Sequence, residues 1–300
     1  MRIVLIYNSL SGEIKKEPEL VSRMQKLINE SLTPNDELIS MNVQNTEPNS
    51  ADGEQLVKGC DVICIAGGDG TISTTIDQTI KHKKCYAILP LGTFNNFVGA
   101  HNIPLRLEDA VAVVFEGKKD KVDLAQVNGR VIINNSSVGI YPKFVFIRQT
   151  SQGEYGLGKS MAMFFAFIKV LFLFPLIRVH LSSDDMQKSG KTSIALVSNN
   201  RYELNLLQVG MRKSLKEGRL YVYMAKCTTR WCVLRIALKA LLSKLDQEKD
   251  FILYSAKEIR LESRKSRINV ALDGEVYEMK TPLVYTIHPK ELKIMVTKNE

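Results

Sequence analysis

Hydrophobic positions in the first hundred or so residues switch between two periods. "IVLIY" (residues 3–7) is an unbroken apolar run, as in a strand covered on both faces. Leu20, Met24, Leu27 and Ile28 then recur at helical spacing. "ELISM" (37–41) reads as a second strand, "VICIA" (62–66) as a third and "YAILP" (86–90) as a fourth. One helix is expected from Thr71 and another over 107–115. Strands alternating with helices predict a parallel sheet with helices on both faces.

Past Lys121 the pattern changes. "VDLAQVNGRVIINN" sets two strand-like runs around Asn128-Gly129, a two-residue hairpin signal. "SIALVS", "RLYVYMA", "KEIRLES", "RINVAL" and "LVYTIH" follow as β-type runs between polar turns. They predict a sandwich or barrel. The boundary is expected at 118–128, where "EGKKDK" reads as an exposed connector.

Two segments stand apart from this scheme. "MAMFFAFIKVLFLFPLI" (161–177) is apolar nearly all the way round, interrupted by Lys169 and Pro175. A spanning helix needs roughly 20 apolar residues without such breaks. The segment is therefore expected either to be buried or to touch lipid from one side. "RWCVLRIALKALLSKL" (230–245) carries Arg235, Lys239 and Lys244 among apolar positions, as a basic amphipathic helix does. It either packs on its domain or contacts a membrane.

Composition narrows the partners. With 45% apolar and 24% charged residues over 300, the chain is an ordinary globular one, long enough for two cores. A net charge of +9 serves solubility and also favours anionic partners: nucleic acid, phosphorylated small molecules or an acidic membrane. No helix-turn-helix, RNA-recognition or zinc pattern occurs and Trp231 is the single tryptophan, so nucleic acid is not expected. The five cysteines are odd in number and include no CxxC pair, which points to a reducing cytoplasm. The N-terminal apolar run is too short for a signal peptide, and no small-residue cleavage site follows it.

Candidate chemistry gathers at strand ends. In "VICIAGGDGTIST" a buried strand ends, Gly67 and Gly68 turn the chain, Gly70 follows and Thr71 opens a helix. Glycine lets backbone N–H groups approach a ligand, and a helix N-terminus adds donors and partial positive charge. Neither the GxxxxGK[ST] loop nor a GxGxxG after the first strand is present, and GGDGT alone also reads as a tight turn. Asp69 beside a phosphate is unfavourable unless it meets a cation or a donor, so a magnesium bridge is the economical explanation. The next strand ends in "PLGTFNNF", with Gly92, Thr93, Asn95 and Asn96; the first ends in "YNSLSG", with Asn8, Ser11 and Gly12.

GGDGT followed by PLGT-x-N resembles the diacylglycerol kinase catalytic family, which includes bacterial lipid kinases and sphingosine and ceramide kinases. "YNSLSG" is similar to its NPxSG element, "VDLAQVNGRVIINNSSVGIYP" to the start of its second domain, and "LDGE" (272–275) to its late DGE element. The resemblance implies ATP- and magnesium-dependent phosphorylation of the hydroxyl of diacylglycerol or a related lipid alcohol. It implies an α/β fold joined to a β fold: a Rossmann-like ATP-binding domain over 1–122, then a β-sandwich lipid-binding domain over 123–300. The last strand would return to the first domain, with the active site in the cleft. By motif match, Gly67, Gly68, Asp69, Gly70, Thr71, Gly92, Thr93 and Asn95, with Asn8, Ser11 and Gly12, would hold ATP. Asp69, Asp123 and Glu217 are the metal candidates, and Asp273 or Glu275 the general base. The DG of LDGE is also a common hairpin turn. A hydroxyl attacking a phosphate needs a carboxylate to orient it; the pattern does not choose between the two, and Asp273 is the first choice. A lipid substrate implies a cytoplasmic protein lying peripherally on the anionic inner face of a membrane, and a homodimer is open.

Departures from the family pattern are Ser9 for proline, Ser73-Thr74 for its NE pair, Asn96 for its aspartate and Glu217-Gly218 for a DG pair. Asn96 cannot bring charge to a metal, a loss that Asp123 could offset. Asn96 and the Ser73-Thr74 pair are the best support for the rival reading of a pseudokinase or lipid-binding protein. A kinase of a soluble substrate, as in NAD kinase, is opposed by the DGE element and the 161–177 segment.

Overall fold

The computed structural model describes residues 1–10, 12–92, 95–154, 158–174, 176–183, 186–202, 216–242 and 246–298. The chain forms two compact units, 1–124 with 289–300, and 125–288.

In the first unit β1 (Arg2–Tyr7), α1 (Glu19–Ser31), β2 (Glu37–Asn42), α2 (Ala51–Gly59), β3 (Val62–Gly67), α3 (Asp69–Thr79), β4 (Cys85–Pro90), α4 (Asn96–Ala100) and α5 (Leu107–Glu116) follow in order. The sheet runs β2-β1-β3-β4, all parallel. Strand β3 is buried from end to end, as its unbroken apolar run requires. Leu20, Met24 and Ile28 bring α1, and Leu107, Val111 and Val114 bring α5, onto the sheet face formed by Leu5, Cys64 and Leu89. Alternate residues Ile63 and Ile65 point to the opposite face and are equally buried. Chain order reverses beside β1: the chain steps first to β2 on one side, then to β3 on the other. The carboxyl ends of β1 and β3 therefore flank a topological switch point, where open α/β sheets bind ligands.

Strand β5 (Lys118–Val127) starts at Lys118, so most of the expected connector is strand, exposed for its first residues. Helix α3 starts two residues earlier than Thr71, with Gly68 as its N-cap.

The second unit contains β6 (Arg130–Ile132), β7 (Asn135–Gly139), α6 (Ile140–Glu154), α7 (Lys159–Leu173), β8 (Ile177–Ser183), β9 (Met186–Thr192), β10 (Ile194–Asn199) and β11 (Leu220–Ala225). It continues with α8 (Arg230–Leu241), α9 (Gln247–Asp250), β12 (Phe251–Ala256), β13 (Glu258–Ser263), β14 (Arg267–Leu272), β15 (Glu275–Lys280) and β16 (Leu283–Val296). Strands β12-β11-β10-β7-β14-β15 form one antiparallel sheet. Strands β16, β13, β8 and β9 pair antiparallel in another. One core takes Val138, Val197, Val222 and Val270 from the first sheet and Leu181, Leu261 and Tyr285 from the second, so the unit is a two-layer β structure. Asn128 and Gly129, both at positive φ, close the β5–β6 hairpin as their dipeptide predicts. Strand β16 begins in this unit against β13 and finishes in the first, parallel to β4.

Helix α7 turns its small residues inward. Ala162, Ala166 and Val170 are buried, whereas Phe164 is 65% and Phe172 70% exposed. Cys227 and Cys232 form a disulfide across the turn from β11 into α8, a pairing at odds with the reducing setting inferred from the cysteine count; their spacing brings the Cα atoms to 5.5 Å. Cys60, Cys64 and Cys85 are free and buried. No helix among the described residues is long and apolar enough to cross a membrane.

Candidate phosphate-binding site and the carboxylate turn

Three loops meet at the carboxyl ends of β1, β3 and β4, and glycine is what lets them meet. A Cβ on Gly68 would lie 2.9 Å from the Cα of Gly92, and one on Gly92 would lie closer still to Gly68. A Cβ on Gly12, where φ is +52°, would lie 2.7 Å from the Leu91 carbonyl oxygen. Gly67 is covered by the Thr71 side chain, 2.7 Å from where its Cβ would be. Gly68 is extended, with φ −94° and ψ −177°, so backbone-to-backbone approach rather than a left-handed conformation demands glycine there. The Leu91 N–H donates to the Gly67 carbonyl, tying the two loops at 3.1 Å.

Asp69 locks this junction. Its Oδ2 accepts from the Asn96 N–H at 3.0 Å and its Oδ1 from the Phe97 N–H at 2.9 Å, so its carboxylate holds the start of α4. Asn95, at φ +51°, accepts from the Gly92 N–H and donates to the Gly92 carbonyl. Asn8 accepts from the Leu10 N–H and from Gln44 Nε2. Gly70 lies in the first turn of α3, which has no side-chain cap. Ser11 and Thr93 lie outside the described residues. The structure thus brings Gly12, Gly67, Gly68, Asp69, Thr71, Gly92 and Asn95 into one junction inside the first unit.

The metal candidates have other partners. Asp123, buried, accepts from the Lys290 N–H at 3.0 Å. Glu217 accepts from the Tyr221 hydroxyl at 2.7 Å; burial and then this bond push the Tyr221 phenol up to about 12. Among the described residues, no three His, Cys, Asp or Glu side chains gather as a metal site.

In the second unit Asp273 and Gly274, both at positive φ, form the two-residue turn between β14 and β15. The Asp273 carboxylate accepts three backbone N–H groups: Ile133 at 3.0 Å, Asn134 at 2.8 Å and Asn135 at 3.0 Å. Its place and orientation are fixed by the segment that enters β7. Glu275 is exposed and accepts from the Tyr277 hydroxyl at 2.6 Å. The Ile133–Asn135 amides are partners that sequence reasoning missed; the asparagines of "VIINNSS" were the only available signal.

A junction of this kind, at the switch point of a parallel sheet and with an uncapped helix start, defines an α/β unit suited to phosphate groups. Residues 2–127 match the family described as "Diacylglycerol kinase catalytic domain". The Asp273 turn lies beyond the matched residues. A Yersinia pestis (strain Pestoides F) protein described as "Probable lipid kinase YegS-like" is 29% identical over 134 residues, covering 43% of this chain and 44% of that protein. The chain's match thus spans less than half the length of that relative. A crystal structure of a diacylglycerol kinase from Bacillus anthracis str. Sterne aligns with a TM-score of 0.73 at 19% identity, over 99% of this chain and 97% of that one. A further structure from the same strain aligns with a TM-score of 0.74 at 17% identity over the same shares. These likenesses give the fold.

Proposed function

We propose that this protein is a lipid kinase that transfers the γ-phosphoryl group of ATP to the hydroxyl of diacylglycerol or a related lipid alcohol. The observation that carries the reading is the three-loop junction at the β1/β3 switch point, which lies within the family match. In this reading the ATP phosphates lie against these loops, whose close approach needs glycine, since a Cβ at Gly12, Gly68 or Gly92 would run into a neighbouring backbone and part them. Magnesium, when bound with the nucleotide, supplies charge neutralisation at the phosphates. The chain offers it no ready cage among the described residues, and both Asp69 oxygens already accept N–H groups. That fits an ion carried in by the phosphates and its own waters, as magnesium commonly is.

The chain's residues then have separate tasks. Gly67, Gly68 and Gly92 admit the phosphates to backbone N–H groups, with the α3 N-terminus facing negative charge. Asp69 keeps the second and third loops in register. Asp273, held by three N–H donors, orients the attacking hydroxyl and takes its proton; phosphoryl transfer asks chiefly for positioning and charge stabilisation. Asp123 holds the chain at Lys290.

The protein meets its substrate as a peripheral protein on the anionic inner face of a membrane, because a lipid alcohol leaves a bilayer at a cost of about 0.8 kcal/mol per CH₂. The outward aromatics of α7, with Trp231 of α8 at 80% exposure, supply the apolar contact. Incubation with γ-labelled ATP, magnesium and a panel of detergent-dispersed lipid alcohols tests the reading: label in any lipid supports it, and none in the panel refutes it. A lipid-binding protein without turnover is the second reading, favoured by the prior engagement of Asp69.

A further inference from the structure

A cavity of 790 Å³ opens in the second unit at the end of β14 away from Asp273. Its β14 residues begin at Arg267, roughly 20 Å along the strand from Asp273 at about 3.3 Å per residue. Six cations line it, Lys143, Arg178, Lys191, Arg264, Lys265 and Arg267, against one carboxylate, Glu278. Glu278 pairs with Arg267 at 3.0 Å. Among the described residues the other five cations have no carboxylate partner. Arg178 and Lys191 also stand directly opposite one another in the β8–β9 register. Like charges in that position destabilise a strand pair, so the fold carries a repulsion that an anion in the cavity would relieve.

The cavity has an apolar part as well. Phe146, Leu176 and Ile268 line it, and Phe146 and Leu176 are exposed to solvent. Leu176 follows shortly after the exposed Phe172 and Leu173 that end α7. A free phosphate ion would need the cations alone and far less room, since pockets of about 300–1,000 Å³ suit drug-sized molecules. A molecule with an anionic head and an acyl body uses both the cations and the apolar residues.

We propose that this cavity binds the phosphate headgroup of an anionic phospholipid, apart from the junction that binds nucleotide. The inference rests on the membrane-facing reading of α7 and does not depend on phosphoryl transfer. Calorimetry with short-chain phosphatidylglycerol below its micelle concentration tests it, beside short-chain phosphatidylcholine, inorganic phosphate and ATP. Saturable binding of phosphatidylglycerol is expected, with little binding of the phosphatidylcholine or phosphate. Arg178→Gln with Lys191→Gln should weaken that binding roughly tenfold or more, two headgroup charges being lost. The same variant should melt no lower than wild type, because the opposed charges are gone, and should bind ATP unchanged. Lys143→Gln, on α6, should weaken phosphatidylglycerol binding independently. Equal binding of inorganic phosphate would overturn the lipid assignment, and equal binding of phosphatidylcholine the role of charge. Full binding by the variants would overturn the location. Absence of ATP binding in the wild type would count against the kinase reading while leaving the phospholipid result to decide this one.

Discussion

Gly68 and Gly92 press backbone against backbone, so a single methyl group is enough to separate the loops they belong to. Gly92→Ala should therefore lower stability by roughly 1–3 kcal/mol and weaken ATP binding, with Gly68→Ala milder because its clash is less severe. Thermal unfolding and nucleotide calorimetry on both variants check the order. The sequence carries the glycines plainly but only part of their reason: it points to backbone opened toward a ligand, whereas Gly68 and Gly92 also permit close packing between two loops far apart in the chain. Asp69 shows the same gap. Its type and position suggested a metal, and the backbone donors of Asn96 and Phe97 that occupy it have no signature in residue type.

At the level of elements, α8 is held down by one side chain that composition alone would count as a headgroup cation. Lys239 Nζ donates to both oxygens of buried Asp250, at 2.7 and 2.8 Å. Lys239→Met should cost roughly 2–4 kcal/mol, the lower end of a broken buried pair because the lysine is partly exposed. Burial acts to raise the Asp250 pKa, but the Lys239 bonds and the Asp246 N–H outweigh it, so the folded value lies below the usual one. The stabilisation is thus present above the unfolded value of about 3.9 and is lost as pH falls through the folded value. Melting temperature against pH should show an acid loss in wild type that the variant lacks. Arg230 and Arg235 are exposed, while Lys244 lies outside the described residues. For α7, Phe164→Ser with Phe172→Ser should leave stability within about 0.5 kcal/mol, as exposed positions do, yet reduce sedimentation with anionic vesicles. The parallel strands and the β5–β6 hairpin were legible because each rests on local period or turn chemistry. Helix α6 and the β8–β9 hairpin were not, because their patterns are broken by polar residues that only tertiary neighbours explain.

For the whole molecule, the +9 charge and the outward aromatics support the proposed docking on an anionic, apolar surface. Vesicle binding should fall as salt rises, with the apolar share remaining, since screening acts on charge alone. The family match covers residues 2–127, and Asp273, held by backbone N–H groups in the second unit, is the carboxylate proposed as the general base. The most direct measurement is transfer of label from γ-labelled ATP to diacylglycerol by wild type and by Asp273→Asn, each matched for ATP binding and run below its melting temperature. The account predicts labelled lipid from the wild type and a rate roughly 10²–10⁴-fold lower in the variant, the usual worth of a general base. Equal rates from the two proteins, or ATP binding without transfer by the wild type, would contradict it.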